Sequence, residues 1–279
     1  GAMVSQPGDR EDMHFVDPIV IRLAQTEVNR AGVHFLRGAV GAPEFVTDAE
    51  TGGEELIELA GRLCYRSFAP GLNPNVTKVR EGNAAYMANL LKQQHYSVLE
   101  HVHVTYAFLN VSRVFTHELV RHRLSNFSQE SLRYVRLDEL GAYWPEAFGE
   151  EVFRKVLRQV TVEGELTEDQ MAENVASMVR SSRLIFEDFF RHAEDAQTKF
   201  ANLFGLDHLT DFNIKKRLTS AMRRCAPIGL TTAIIMTTNL RNWRHVIELR
   251  TGEHAEEEIR KVIGMVADDL RALYPNAMA

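Results

Sequence analysis

The sequence has little cysteine, no long apolar run and no surplus of basic charge. Its 279 residues include two cysteines, too few for a disulfide framework and not arranged as CxxC. No apolar run reaches the roughly 18 to 20 residues that cross a bilayer, and the chain does not open with a basic segment followed by an apolar one. These absences predict a cytoplasmic protein with no membrane association and no export signal.

The charge balance argues against binding to a nucleic-acid polymer. The chain has 32 Lys and Arg against 38 Asp and Glu, a formal net charge of -6, whereas a general nucleic-acid binder normally has a basic face and a high pI. Four common motifs are also missing, namely GxGxxG, the P-loop GxxxxGKS/T, GxSxG and HExxH. A nucleotide would therefore have to be held by side chains from a local positive cluster.

Apolar periodicity predicts an α+β fold. Residues 1–13 are expected to be an expression-tag remnant and a disordered N-terminus, and residues 14–279 a single domain. Strands are predicted at 18–23, 101–111 and 230–238, with a further β-like piece at 132–137. Helices are predicted at 54–65, 83–93, from the cap Ser112 to Arg123, through most of 150–204, at 211–225, after the cap Asn239, and at 259–270, with a loop at 38–53.

The segment from Arg121 to Tyr134 is the most unusual part of the sequence. It holds basic and hydroxyl or amide side chains in close succession: Arg121, His122, Arg123, Ser125, Asn126, Ser128, Gln129, Ser131 and Arg133. On the predicted helix, consecutive residues point about 100° apart, so the first three cannot all face solvent. Arginine forks match phosphate oxygens, which predicts a phosphorylated small molecule as the ligand. The alternative is a solvated helix end that complements the helix dipole.

Arg121-His122-Arg123, followed after seven residues by Ser131, is the pattern RHRx7S. With it, the sequence resembles the flavin-dependent thymidylate synthase (ThyX) family. The segments His95 to His101, Arg223 to Pro227 and Asn239 to His254 are similar to further parts of that family. The likeness runs from about Glu54 to Leu270. It implies a ThyX-type fold, in which a β-sheet is flanked by long helices and no Rossmann motif is present.

The resemblance implies a reaction as well as a fold. The family makes dTMP from dUMP, with methylenetetrahydrofolate as the one-carbon donor and NADPH as the reductant through FAD. Neither Cys64 nor Cys225 is well placed to attack the pyrimidine, so no cysteine nucleophile is expected. Family members are homotetramers whose active sites are shared between chains.

The same resemblance assigns the site residues. Arg250 is expected to be the catalytic group, which stabilises negative charge as it develops on the uracil ring. The implied nucleotide-binding residues are Glu118, Arg121, Gln129, Glu130, Ser131, Leu132, Arg133, Arg223 and Arg250. The implied cofactor-binding residues are His95, Ser97, Glu100, Arg121, His122, Arg123, Gln129, Asn239, Arg241 and His245. No metal ligand is implied.

Three residues of the nucleotide-binding loop depart from the family's usual pattern: Phe127, Glu130 and Leu132. A relative that methylates UMP in nucleoside-antibiotic biosynthesis would keep the flavin machinery and alter this loop, so dUMP and UMP both stay open as substrates. A metalloenzyme that uses His101 and His103, and a nucleotide-binding protein without catalysis, are lesser alternatives.

Overall fold

The computed structural model describes residues 15–132, 137, 140–162 and 164–279. Its helices and strands, in chain order, are β1 (Ile19–Gln25), α1 (Arg30–Ala39), α2 (Gly52–Tyr65), α3 (Asn83–Lys92), β2 (His103–Ser112), α4 (Arg113–Leu119), β3 (Ser125–Gln129), α5 (Glu150–Val160), α6 (Glu168–Leu203), α7 (Phe212–Met222), β4 (Thr231–Asn239), α8 (Leu240–Arg250) and α9 (Glu257–Leu273). Within these residues the strands form a four-stranded sheet in the order β1-β2-β4-β3. The combination of a sheet with long helices confirms the predicted α+β fold.

The chain divides into two compact units. Unit 1 holds the described parts of Gly1–Ile19, Phe108–Leu119 and Gln129–Ile234, and unit 2 holds Val20–Ala107, Val120–Ser128 and Ile235–Ala279. Each unit has buried apolar residues of its own, such as Phe190 and Leu230 in unit 1 and Leu59 and Phe68 in unit 2. The single domain over residues 14–279 stays a prediction.

The core of unit 2 is built around α8 and α9. Apolar residues return at helical spacing on α9 and are all fully buried: Ile259, Val262, Ile263, Val266 and Leu270. On α8, the buried Trp243 donates from Nε1 to the carbonyl oxygen of Val104 at 3.1 Å, and its ring lies edge-on to Tyr106 at 5.3 Å. This packing fixes α8, whose exposed side chains include Arg241 and His245.

Unit 1 contains the long helix α6. The helix begins at a capping box, in which Thr167 Oγ1 accepts from the Gln170 amide at 3.3 Å and Gln170 Oε1 accepts from the Thr167 amide at 2.9 Å. Phe186 and Phe190 stack at 4.9 Å, and Trp144 packs edge-on against Phe186. Together with α5, this helix confirms the prediction that residues 150–204 are mostly helical.

The predicted helix from Ser112 to Arg123 is correct at its start and wrong at its end. Ser112 Oγ accepts from the Phe115 amide at 3.2 Å, as a cap should. However, α4 ends at Leu119, so Arg121-His122-Arg123 follows the helix and does not lie on it. The chain turns there because it joins the sheet, where Thr238 Oγ1 donates to the Leu124 carbonyl oxygen at 2.6 Å and the strand β3 begins.

Two other elements differ from the sequence-based expectation. The helix α1 was not predicted; it includes Gly38 and Ala39 of the expected loop, and it is capped by Asn29, whose Oδ1 accepts from the Gly32 amide at 3.1 Å. The strand β3 was not predicted either. Most of the β-like piece predicted at 132–137 lies outside the described residues.

Candidate functional site

A hydrogen bond in unit 2 links the predicted catalytic arginine to the RHRx7S motif. Arg250, in the last turn of α8, donates from Nε to Nε2 of His122 at 3.0 Å. His122 is 8% exposed, and the ring of His245 lies edge-on to it at 6.4 Å. Because an arginine only donates, Nε2 of His122 must accept, which places the proton of the neutral imidazole on Nδ1. The two predicted residues are therefore direct partners.

The start of α8 gathers a second group of predicted residues. Asn239 caps the helix, with its Oδ1 accepting from the Asn242 amide at 2.9 Å. The side-chain amide of Asn242 in turn donates to Ser125 Oγ at 3.0 Å, which ties the helix start to β3. Arg241 Nη1 pairs with Glu100 Oε1 at 2.5 Å, and both side chains are about half exposed. A helix N-terminus beside an arginine is a favourable place for an anion.

Unit 2 holds nearly the whole predicted cofactor set: His95, Ser97, Glu100, Arg121, His122, Arg123, Asn239, Arg241 and His245. Gln129 is the exception and belongs to unit 1. Arg121, Arg123, Arg241 and His245 are exposed to solvent. These donors, together with the N-terminus of α8, have the chemistry to bind phosphate groups of a flavin cofactor, because arginine forks can pair with phosphate oxygens bidentately.

A cleft of about 620 Å³ lies in unit 2 beside the C-terminal ends of α2 and α3. Its lining includes three predicted residues, His95, Ser97 and Arg241. The rings of Tyr65 and His95 lie nearly parallel there, with centroids 6.1 Å apart. Its volume is in the usual range for small-molecule sites, roughly 300 to 1,000 Å³.

The predicted nucleotide-binding residues fall in both units. Unit 1 holds Glu118, Gln129, Glu130, Ser131, Leu132 and Arg223, whereas Arg121 and Arg250 belong to unit 2. Arg133 lies outside the described residues. Gln129 Nε2 donates to Thr116 Oγ1 at 3.3 Å, and the Glu130 amide donates to the Ala233 carbonyl oxygen at 2.9 Å. Unit 1 therefore anchors the loop before Ser131 on α4 and β4.

Sequence reasoning missed Arg113, the first residue of α4. One of its terminal nitrogens, Nη2, reaches the Glu130 carbonyl oxygen and Thr232 Oγ1, each at 3.5 Å, and its Nε is buried without a hydrogen-bond partner. Burial lowers the pKa of Arg113, Glu130 opposes this effect, and the like charge of Arg223 adds to it. A single arginine within the otherwise uncharged run from Val111 to Phe115 was the available signal.

Both cysteines of the chain are free thiols. Cys64 is exposed on α2, in the lining of the cleft, and Cys225 is partly exposed in the turn Arg223–Cys225.

Over the described ranges, no cluster of three or more His, Cys, Asp or Glu side chains is arranged to hold a metal ion. Among the helices that the structure describes, none combines the length and apolar character needed to cross a bilayer.

Comparisons with known proteins agree with the motif. Residues 46–276 match the family model Thy1, described as thymidylate synthase complementing protein. The chain is 33% identical over 217 residues to the flavin-dependent thymidylate synthase of Mycobacterium avium strain 104, covering 77% of this chain and 74% of that protein. It is 32% identical over 235 residues to the same enzyme of Mycobacterium tuberculosis strain H37Rv, covering 84% of this chain and 82% of that protein.

A solved structure is also similar to this chain. It is the UMP/dUMP methylase PolB from Streptomyces cacaoi bound with 5-Br UMP, with a TM-score of 0.59 and 17% identity. The match covers 95% of this chain and 94% of that one. At this identity the likeness concerns the fold alone, and it confirms the predicted fold class.

Proposed function

Because the chain belongs to the flavin-dependent thymidylate synthase family, we propose that it methylates C5 of a uracil nucleotide and converts dUMP to dTMP. In this proposal methylenetetrahydrofolate gives the one-carbon unit, NADPH gives the reducing equivalents through FAD, and no cysteine attacks the ring. The observation that carries the proposal is the 3.0 Å hydrogen bond between Arg250 and His122, since it links the predicted catalytic group to the predicted flavin-binding motif.

Arg250 has the chemistry to activate a pyrimidine without a covalent bond. A guanidinium against the carbonyl edge of uracil stabilises negative charge as the ring becomes nucleophilic at C5. His122 accepts from Nε of Arg250, and this hydrogen bond orients the guanidinium. The methyl group also requires a hydride, which is the chemistry that FAD supplies when bound. Residues Arg121, Arg123, Arg241 and His245 would hold that cofactor.

The charges in unit 1 support a phosphate site. Burial is the main cause that lowers the pKa of Arg113, the carboxylate of Glu130 opposes it, and the like charge of Arg223 adds a smaller lowering effect. A phosphate would pair with both guanidinium groups and would also give the buried Nε of Arg113 an acceptor. Ser131 and Gln129 would add hydrogen bonds to the nucleotide. We extend the site to Arg133 on the family resemblance alone.

UMP is the alternative substrate. It is favoured by the departures at Phe127, Glu130 and Leu132, which all fall in or beside the proposed nucleotide loop. The similar protein PolB is described as a UMP/dUMP methylase. The choice depends on whether this loop accepts the ribose 2′-hydroxyl, a group that can both donate and accept a hydrogen bond.

We also propose a homotetramer with shared active sites, located in the cytoplasm. Large apolar side chains are exposed along α6, among them Ile185 at 71%, Phe189 at 61% and Leu203 at 75%. Ile185 and Phe189 are four residues apart and so lie on one side of the helix. Exposed apolar surface of this kind marks a protein interface, and a second copy of the chain is the partner that the family implies.

One assay tests the reaction. The protein is supplied with FAD, NADPH and a deuterated one-carbon donor, and dUMP and UMP are offered in parallel. We expect dTMP that carries the donor's deuterium in its methyl group. Labelled 5-methyl-UMP alone would establish the alternative substrate. NADPH consumption without any methylated nucleotide would contradict the proposed function.

A further inference from the structure

The cleft in unit 2 is lined by cations and by no carboxylate. Its charged lining consists of Lys78, Arg80 and Arg241, whereas the chain as a whole is acidic with a net charge of -6. Arg241 is paired with Glu100. Lys78 and Arg80 are exposed, and neither forms an ion pair within the residues that the structure describes. Two positive charges without counter-charges at one rim favour an anionic ligand.

A buried arginine holds this rim in place. Arg62 is 2% exposed and donates from Nη1 to the Ser67 carbonyl oxygen and from Nη2 to the Arg80 carbonyl oxygen, each at 2.8 Å. Its guanidinium also pairs with Glu58 at 2.7 Å and lies over the ring of Tyr86, 4.5 Å from the centroid. The backbone at both ends of the segment between α2 and α3 is therefore fixed, so the position of Arg80 is preorganised.

Another part of the cleft lining is less suited to phosphate. It is formed where α2 and α3 end, at Tyr65 and at Gln94 and His95, and helix C-termini carry partial negative charge. A ligand ring that is neutral or donates hydrogen bonds suits this part of the lining. The exposed rings of Tyr65 and His95 offer it aromatic surface for packing. By contrast, the N-terminus of α8 suits a diphosphate. The cleft therefore fits a ligand that combines a neutral heterocycle with a separate, flexible anionic end.

We propose that Lys78 and Arg80 bind the glutamate carboxylates of the one-carbon donor, so that the cleft selects polyglutamylated methylenetetrahydrofolate over the monoglutamate. This inference depends on the proposed function, in which a folate is the co-substrate. A tail with several carboxylates can engage both exposed cations at once, whereas a monoglutamate offers fewer charges to them. Each contact is solvent-exposed, so the preference should weaken as salt is added.

The experiment measures the ratio of KM for the monoglutamate to KM for the pentaglutamate. We expect a ratio of about ten for the wild-type enzyme, which corresponds to about 1.4 kcal/mol. In the double variant Lys78→Gln/Arg80→Gln the ratio should fall to about one. Lys92→Gln is the matched control, because Lys92 is an exposed lysine at the end of α3 that does not line the cleft. This control should keep the wild-type ratio.

Equilibrium binding of tetrahydrofolate mono- and pentaglutamate to the FAD-loaded protein gives the same ratio without turnover. An equal affinity of the wild-type protein for both forms overturns the proposal, and so does a double variant that keeps the preference. If the double variant instead loses flavin or raises KM for NADPH while the folate ratio stays, the cations bind phosphate and the proposal is wrong. A preserved binding preference in a protein that makes no methylated nucleotide would contradict the proposed function and leave this inference standing.

Discussion

Arg250 and His122 are hydrogen-bonded through Nε and Nε2 at 3.0 Å, although they lie 128 residues apart in the sequence. The contact orients a guanidinium at the end of α8 by means of a histidine that is itself buried. We therefore expect Arg250→Ala to lower kcat/KM for the uracil nucleotide about 100- to 1,000-fold, as the loss of a charge-stabilising donor does. Flavin content should stay near that of the wild type.

Arg271→Ala is the control for that measurement, because Arg271 is an exposed arginine of α9 whose ion pair with Asp268 is on the surface. Arg271→Ala should leave both kcat/KM for the uracil nucleotide and the flavin content unchanged. Wild-type kcat/KM in Arg250→Ala would remove the catalytic assignment.

The variant Arg121→Ala tests whether Arg121 binds the flavin cofactor. Arg121 is exposed in the turn after α4, within the predicted flavin set. We expect the purified variant to retain less FAD, seen as a lower ratio of flavin to protein absorbance, because one charge-assisted contact with the diphosphate is lost. Arg158→Ala on α5 removes an exposed arginine elsewhere and should retain flavin fully. Equal flavin content in both variants would count against the assignment.

Arg113→Ala should weaken nucleotide binding about tenfold to a hundredfold, the usual range for hydrogen bonds to charged groups. The effect should appear as a raised Kd for the uracil nucleotide and a smaller salt dependence of that Kd. Arg113→Lys keeps the charge but not the planar fork, so it should recover only part of the affinity. If both variants bind the nucleotide as tightly as the wild type, Arg113 has a structural role only.

The buried carboxyl group of Glu54 should make the free energy of unfolding depend on pH. Burial raises the pKa of Glu54 above its ordinary value of 4.5, although the amides of Ala277 and Asn276 donate to it and oppose the shift. A raised pKa means that the folded state binds the proton more tightly than the unfolded state. This contribution to the free energy of unfolding is fully present below the ordinary value and is lost as the pH rises through the raised pKa.

The advantage of the wild type over Glu54→Gln, measured as the free energy of unfolding in urea, should therefore shrink as the pH rises above the ordinary value of 4.5. Glu151 is the opposite case, since a hydrogen bond from Lys155 lowers its pKa. The advantage of the wild type over Glu151→Gln should not shrink over the same range. A constant difference for Glu54→Gln would show that its carboxyl group titrates alike in both states.

The apolar side of α6 predicts the quaternary structure. Phe189→Asp places a charge among exposed apolar side chains, so we expect the tetramer to dissociate in sedimentation velocity experiments. Arg180→Asp is the control, because Arg180 is exposed about 140° around the helix from Ile185. If Phe189→Asp sediments as the wild type does, the interface is elsewhere.

The sequence predicted best what depends on neighbouring residues. The apolar repeat of α9 and the caps Ser112 and Asn239 follow from local spacing and side-chain chemistry, and the structure has all of them. The motif RHRx7S likewise identified the family, because it is a local pattern that can be recognised without knowledge of the tertiary packing.

The errors concern contacts between distant parts of the chain. Continuing α4 through Arg123 followed from helical spacing, but the hydrogen bond from Thr238 draws the chain into the sheet instead. Arg113 was missed because its burial depends on β4, which lies more than 100 residues later. The cleft cations Lys78 and Arg80 lie in a segment without periodicity, and the backbone of Arg80 is held by Arg62, which lies 18 residues earlier in the sequence.

Trp144 and Trp243 are the two tryptophans of the chain, and each unit contains one of them. Trp243 is fully buried on the helix that carries Arg250, whereas Trp144 contacts the aromatic side chains beside α6. Replacing Trp144 by phenylalanine would leave Trp243 as a tryptophan fluorophore that reports on unit 2 alone. Replacing Trp243 by phenylalanine would instead leave Trp144, which reports on unit 1. The protein thus contains its own optical probes for asking whether the two halves of the chain unfold together.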